Sequence, residues 1–150
     1  MLNKYLDLAA QEAEYGTSIK DGGPFGAIIT DKEGNIISKG HNMVIKTNDP
    51  TAHAEITAIR NACNKLQTKD LSNCILYSSC EPCPMCLSAI IWSNIKTVYY
   101  GATRYDASKI GFRDNDIYEY LANKNEIIKK EEILNENCKK VLENYRNEVY

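Results

Sequence analysis

The hydrophobic positions along the chain change period several times, and each change marks an element. Leu2, Leu6, Ala9, Ala10 and Ala13 recur at helical spacing, and Gly16 is placed to close that segment as a C-cap. The period then shortens. Ala27-Ile28-Ile29-Thr30 and Ile36-Ile37-Ser38 flank a turn over Asp31 to Asn35, which predicts an antiparallel hairpin. Asp49-Pro50 announces a second helix, with Asp49 as N-cap, Pro50 in the first helical position and Ile56, Ile59, Cys63 and Leu66 as its apolar stripe. Lys65 to Asn73 is polar and reads as a loop. Cys74 to Ser78 follows as a buried strand, then a helix from about Cys83-Pro84 carrying Met85, Leu87, Ile90, Ile91 and Trp92, then a strand over Lys96 to Gly101. Arg104 to Asp116 reads as a polar connection and Ile127 to Leu134 as a last strand, before Cys138, Val141, Leu142 and Tyr145 return to helical spacing. Strands alternating with helices predict an α/β layer.

Composition narrows the class. At 150 residues, 43% of them apolar, the chain makes one domain, 1–150, with a sizeable core. A formal net charge of -2 provides no positive footprint for collecting phosphates, which argues against a nucleic-acid partner. Asp7 interrupts the start where a signal peptide needs its apolar run, and no apolar stretch approaches the roughly 18 residues of a membrane helix. A cytoplasmic, membrane-free protein is expected. In that compartment thiols stay reduced, so closely spaced cysteines read as metal ligands before disulfides.

The chemistry concentrates between Asp49 and Cys86. His53-Ala54-Glu55 is followed by Cys80-Glu81-Pro82-Cys83-Pro84-Met85-Cys86, which offers one imidazole, several thiolates and a free carboxylate. Those are the parts of a catalytic zinc site, with three protein ligands and a fourth position left to water. Two C-x-x-C pairs overlap here. Pro84 suits the first position of a helix, so Cys83 sits at its mouth and Cys86 one turn in, and both face one point. We therefore take His53, Cys83 and Cys86 as ligands of Zn2+ and Cys80 as loop packing, with Cys63, Cys74 and Cys138 as small core residues. Glu55, two residues from a ligand, is the proton carrier. Zinc-activated water would attack an amidine-like carbon of a nitrogen heterocycle while Glu55 relays the protons, and the amine would leave as ammonia. Asn42, just past the second strand, is either a turn residue or a hydrogen-bonding group for the edge of a base. Gly22, Gly23 and Gly26 make either a tight turn or a close approach to a ligand. Among the carboxylates of the 104–116 connection, the choice between lining a site and facing solvent stays open.

H-x-E followed by P-C-x-x-C is the mark of the zinc nucleobase and nucleoside deaminases. On His53-Ala54-Glu55 and Pro82-Cys83-Pro84-Met85-Cys86 the chain resembles the cytidine and deoxycytidylate deaminase superfamily. Gly22 to Ala27, Asn48 to Ala52, Ser79-Cys80-Glu81, Ala89 to Trp92, Gly111 to Asp114 and a terminal tyrosine make it look most like the small bacterial guanine deaminases. That resemblance covers the chain to about Leu121. It implies a three-layer α/β/α fold around a central mixed five-stranded sheet, and a homodimer whose C-terminal segment, about 122–150, swaps between subunits. It also implies a small purine base as substrate, with guanine converted to xanthine and ammonia. Adenosine in a transfer-RNA anticodon loop is the alternative. By the same resemblance Asp114 is a second proton-handling carboxylate and Asn42 a base contact. Phe25 and Trp92 become pocket walls, and Tyr150 a closing residue donated in trans.

Overall fold

A computed structural model of the chain describes residues 2–150. Helix α1 (Leu2–Ser18) buries Tyr5, Ala9, Ala13 and Gly16, a stripe at helical spacing. It runs through Gly16 instead of ending there. A Cβ at that position would lie 2.7 Å from the His41 ring, so glycine is used for close packing and not for a cap. Strands β1 (Gly26–Asp31) and β2 (Ile36–His41) form the expected hairpin. A short helix α2 (Val44–Thr47) follows, then α3 (Ala54–Leu66), strand β3 (Cys74–Cys80), helix α4 (Pro84–Trp92) and strand β4 (Val98–Ala102). The sheet order is β2-β1-β3-β4, with β1 antiparallel to both neighbours and β3 parallel to β4.

β2, β3 and β4 consequently all run one way, and their carboxyl ends emerge at one edge of the sheet. β1, running the other way, starts at that edge just after Phe25. Side chains alternate across the sheet. Ala27, Ile29 and Leu76 join Ala54, Ala58, Ala62 and Ile90 on the α3/α4 side. Ile28 and Tyr77 join Tyr5 and Ala9 on the α1 side. The result is the expected three-layer α/β/α arrangement. The alanine stripe of α3 lets its backbone reach β2, where a Cβ on Gly40 would lie 2.5 Å from the Ala58 nitrogen.

Four expectations change. The described residues contain four strands and not five: Ile127 to Leu134 is an exposed irregular arm with no ladder partner. Asp49-Pro50 makes a turn and not a helix start, because the Asp49 carboxylate accepts from the Thr51 backbone (2.8 Å) and hydroxyl (2.7 Å). The polar 104–116 connection contains two short helices, α5 (Arg104–Lys109), begun by a Thr103/Asp106 capping box, and α6 (Asp114–Leu121). Cys138 lies in the exposed helix α7 (Glu136–Glu143) and not in the core. No helix among the described residues is long and apolar enough to cross a membrane.

The contact between α3 and β2 has no slack at its closest point. Gly40→Ala should destabilise the fold by about 1–3 kcal/mol through overpacking, read as a lower denaturant midpoint.

Candidate active site

Two helix starts meet at the carboxyl edge of the sheet. His53 is the N-cap of α3, in extended conformation. Cys83 is the N-cap of α4, with Pro84 after it, and its sulfur accepts from the Cys86 backbone nitrogen at 3.5 Å. The His53 Nδ1 atom lies 3.6 Å from Cys83 Sγ and 3.5 Å from Cys86 Sγ. Metal distances of about 2.0–2.1 Å to nitrogen and 2.3 Å to sulfur, at tetrahedral angles, require nitrogen and sulfur to be roughly 3.5–3.6 Å apart. The three side chains meet that requirement, and all three donor atoms lie within 4.8 Å of one another.

Their ionisation points the same way. A hydrogen bond from Cys86, opposed by burial and helped by His53, brings the Cys83 thiol down to about 4. The neighbouring Cys86 thiol is pushed up, first by its bond to Cys83 and then by burial. His53 is raised, first by its hydrogen bond to the Cys83 sulfur. Burial lifts the Glu55 carboxyl to about 7, with the Cys83 thiolate adding to the rise. A single thiolate thus suppresses the ionisation of the acids around it. A divalent cation among the three donors removes that conflict, because it favours every deprotonated form at once.

Glu55 lies in the first turn of α3 and is 5% exposed. Cys80 is buried at the end of β3, where its thiol donates to the Thr103 carbonyl at 3.5 Å and burial raises it to about 12. It stays a protonated packing group, apart from the ligand triplet. The loop between them is held from outside. Tyr118 of α6 donates its hydroxyl to the Pro82 carbonyl at 2.5 Å, the Arg104 guanidinium lies 4.2 Å over the Tyr118 ring, and Glu81 accepts from the Arg104 backbone at 3.0 Å.

These groups open onto a cavity of about 340 Å³ that includes His53, Glu55, Cys83, Asn42, Phe25 and Asp114. Asp114 begins α6, and burial raises its carboxyl, with the Cys83 thiolate adding to the effect. The Asn42 Oδ1 atom accepts from Gly23 N at 3.3 Å and Val44 N at 3.0 Å. Two backbone donors aimed at one amide atom identify it as the oxygen. The acceptor half of Asn42 is therefore engaged, and only its Nδ2 donor is left for a ligand. Gly22 lies against the same side chain, where a Cβ would overlap Oδ1.

Trp92 and Tyr150 are elsewhere. Trp92 is at the far end of α4, about 13 Å along the helix from Cys83, and is 66% exposed. Tyr150 is 75% exposed, with its ring 6.2 Å from that of Trp92. Neither reaches this cavity in its own chain. Phe112, which the sequence shows only as part of the Gly111 to Asp114 motif, does reach it, meeting Phe25 edge-to-face with ring centres 4.8 Å apart. Its place two residues before Asp114 was the available signal.

The chain matches the family described as the cytidine and deoxycytidylate deaminase zinc-binding region over residues 1–102. It is 53% identical over 117 residues to the guanine deaminase of Bacillus subtilis, covering 78% of this chain and 74% of that protein. The solved guanine deaminase structure from Bacillus subtilis superposes with a TM-score of 0.86 at 42% identity, over 99% of this chain and 97% of that one. A tRNA-specific adenosine deaminase of Aquifex aeolicus is 49% identical over 98 residues, covering 65% of this chain and 64% of that protein. With a matching donor triplet in place as well, the chain belongs to the cytidine and deoxycytidylate deaminase family, and its metal is zinc.

Proposed function

We propose that this protein is a zinc-dependent guanine deaminase, converting guanine and water to xanthine and ammonia. The observation that carries the chemistry is Glu55, buried and outside the His53, Cys83 and Cys86 donor group, lining with His53 and Cys83 a cavity of about 340 Å³. That volume is at the small end of ligand sites, which run from about 300 to 1,000 Å³, and suits a free base. Substrate identity rests on the likeness to guanine deaminases.

In this reading His53, Cys83 and Cys86 hold the zinc. Bound there, zinc supplies Lewis acidity that makes water nucleophilic near neutral pH. Glu55 takes a proton from that water as its oxygen bonds the ring carbon bearing the amino group, and passes the proton to the adjacent ring nitrogen. The second proton of the same water, taken by Glu55 from the hydroxyl now on that carbon and given to the amino group, lets the carbon–nitrogen bond break and ammonia leave. The carbon is left as the new carbonyl. Buried beside the donor group and not itself one of the three donors, the Glu55 carboxyl is placed to take a proton and to give it back. Asp114 is the second proton-handling and base-orienting carboxylate. Asn42 donates from Nδ2 to an acceptor on the purine rim, and Phe25 and Phe112 enclose the ring.

The same reading extends to a homodimer. Residues 126–150 contain no buried side chain, yet they carry Ile127, Ile128, Ile133, Leu134, Val141 and Leu142. Ile91 and Trp92 on α4 and Tyr100 on the edge strand β4 are exposed as well. Apolar arm and apolar face are complementary if the segment 122–150 of one protomer covers its partner. Tyr150 then serves the partner's pocket, and Trp92 becomes part of the arm's seat instead of a pocket wall. A cytoplasmic location accords with six free cysteines and a free-base substrate.

Adenosine in a transfer-RNA loop is the second reading, favoured by the likeness to tRNA-specific adenosine deaminases. It is opposed by the net charge of -2. Ammonia release from zinc-loaded protein should occur with guanine and not with an anticodon stem-loop; the reverse result overturns the substrate. Glu55→Gln should retain one zinc per chain and lose about 10²–10⁴-fold in turnover. Cys86→Ser should instead lose the zinc itself, measured by metal analysis after dialysis. Mixing inactive Glu55→Gln protomers with protomers lacking Tyr150 should restore activity when Tyr150 acts in trans, and no recovery would sink the swap.

A further inference from the structure

His41 stands next to Asn42 in the chain but faces the opposite way, into α1. Its Nδ1 is 3.0 Å from Glu12 Oε1 on α1, and its Nε2 is 2.7 Å from Asp21 Oδ2 in the loop that leads to Gly22-Gly23. Tyr15 meets the ring edge-on at 5.6 Å, and Gly16 leaves room for it. Lys46, on α2, reaches Asp21 Oδ1 at 3.9 Å, and its backbone nitrogen donates to the Asp21 carbonyl at 2.9 Å. Asp21 is buried. None of these groups takes part in the reaction described above.

We propose that His41, clamped as an imidazolium between Glu12 and Asp21, is the positioning residue for Asn42, and that base binding depends on the protonation of this clamp. The inference rests on the reading of Asn42 as a base contact. The connection is short and physical. His41 holds Asp21, Asp21 begins the loop, and the next two residues touch the Asn42 amide: Gly22 packs against it and Gly23 donates to Oδ1. With Oδ1 held by that donor and by Val44 N, Nδ2 is the group Asn42 keeps for the cavity it lines.

Only the protonated ring is a donor at both nitrogens. A neutral ring would present a lone pair to one of the two carboxylates, and the link that runs from α1 through the ring to the Asp21 loop would be broken on that side. Burial disfavours the cation, but the hydrogen bonds and charges of Glu12 and Asp21 outweigh it, and the pKa of His41 is raised. The clamp is therefore complete below the ordinary histidine range and is lost as pH rises through the raised value.

The test uses full-length, zinc-loaded protein as wild type, His41→Gln and Glu12→Gln, the last in case the first fails to fold. NMR follows the Asn42 side-chain amide, assigned by its absence from Asn42→Asp, and the His41 ring across roughly pH 6 to 10. The two signals should move with one midpoint, and the Asn42 titration should vanish in His41→Gln and shift to lower pH in Glu12→Gln. KM for guanine should rise about tenfold across the same midpoint with kcat within about twofold, and His41→Gln should show the high KM at every pH. An Asn42 signal indifferent to the His41 titration, or a His41→Gln variant that loses thermal stability with KM unchanged, overturns the proposal. A wild type that does not turn over guanine removes the substrate reading alone, because the NMR coupling is read without it.

Discussion

The structure depends on two helices beginning at the same point. α3 and α4 are each capped by a donor of the metal site, His53 and Cys83, and each delivers a second functional group one turn or less into the helix, Glu55 and Cys86. Helix starts direct unpaired backbone N–H groups and a partial positive charge at whatever lies there. That favours thiolate over thiol, which is the form a metal takes. The convergence is enforced by packing, since the alanine face of α3 and the glycine of β2 bring backbone against backbone.

Strand direction supplies the remaining parts. Because β2, β3 and β4 point the same way, the segments leaving them, with Asn42, Cys83 and Asp114, gather at one edge. Ligand sites of open α/β sheets lie outside the carboxyl ends of strands for the same reason. α5 and α6 brace the loop through Arg104, Tyr118 and Pro82. The wall near the metal is thus tied into a network, while the 122–150 arm lies outside the core with its apolar residues exposed. An exposed apolar tail beside a site tied into the core is the physical ground for proposing a dimer.

The chemistry was the most legible part of the sequence. Two short motifs carried the donors, and Pro84 alone separated Cys83 and Cys86 from Cys80, because a proline at the first helical position states where a helix begins. Asp49-Pro50 sent the same signal and produced a turn, since Asp49 found Thr51 two residues on. Local codes of this kind are ambiguous where a side chain has a competing partner nearby. Ile127 to Leu134 differs for another reason: its apolar residues suit a strand, but it pairs with neither edge strand, β2 or β4, of its own sheet.

By itself, the sequence determined the His53, Cys83 and Cys86 donor group, the place of Glu55 beside it and the alternating α/β order, because each is set by residue type at short spacing. Tertiary structure alone decided which half of the Asn42 amide is left for a ligand and that Phe112 joins Phe25. It alone joined His41 to Glu12 and Asp21. Those outcomes depend on which segments pack together across 19 to 29 positions of chain or more, and no local pattern encodes a distance between residues so far apart.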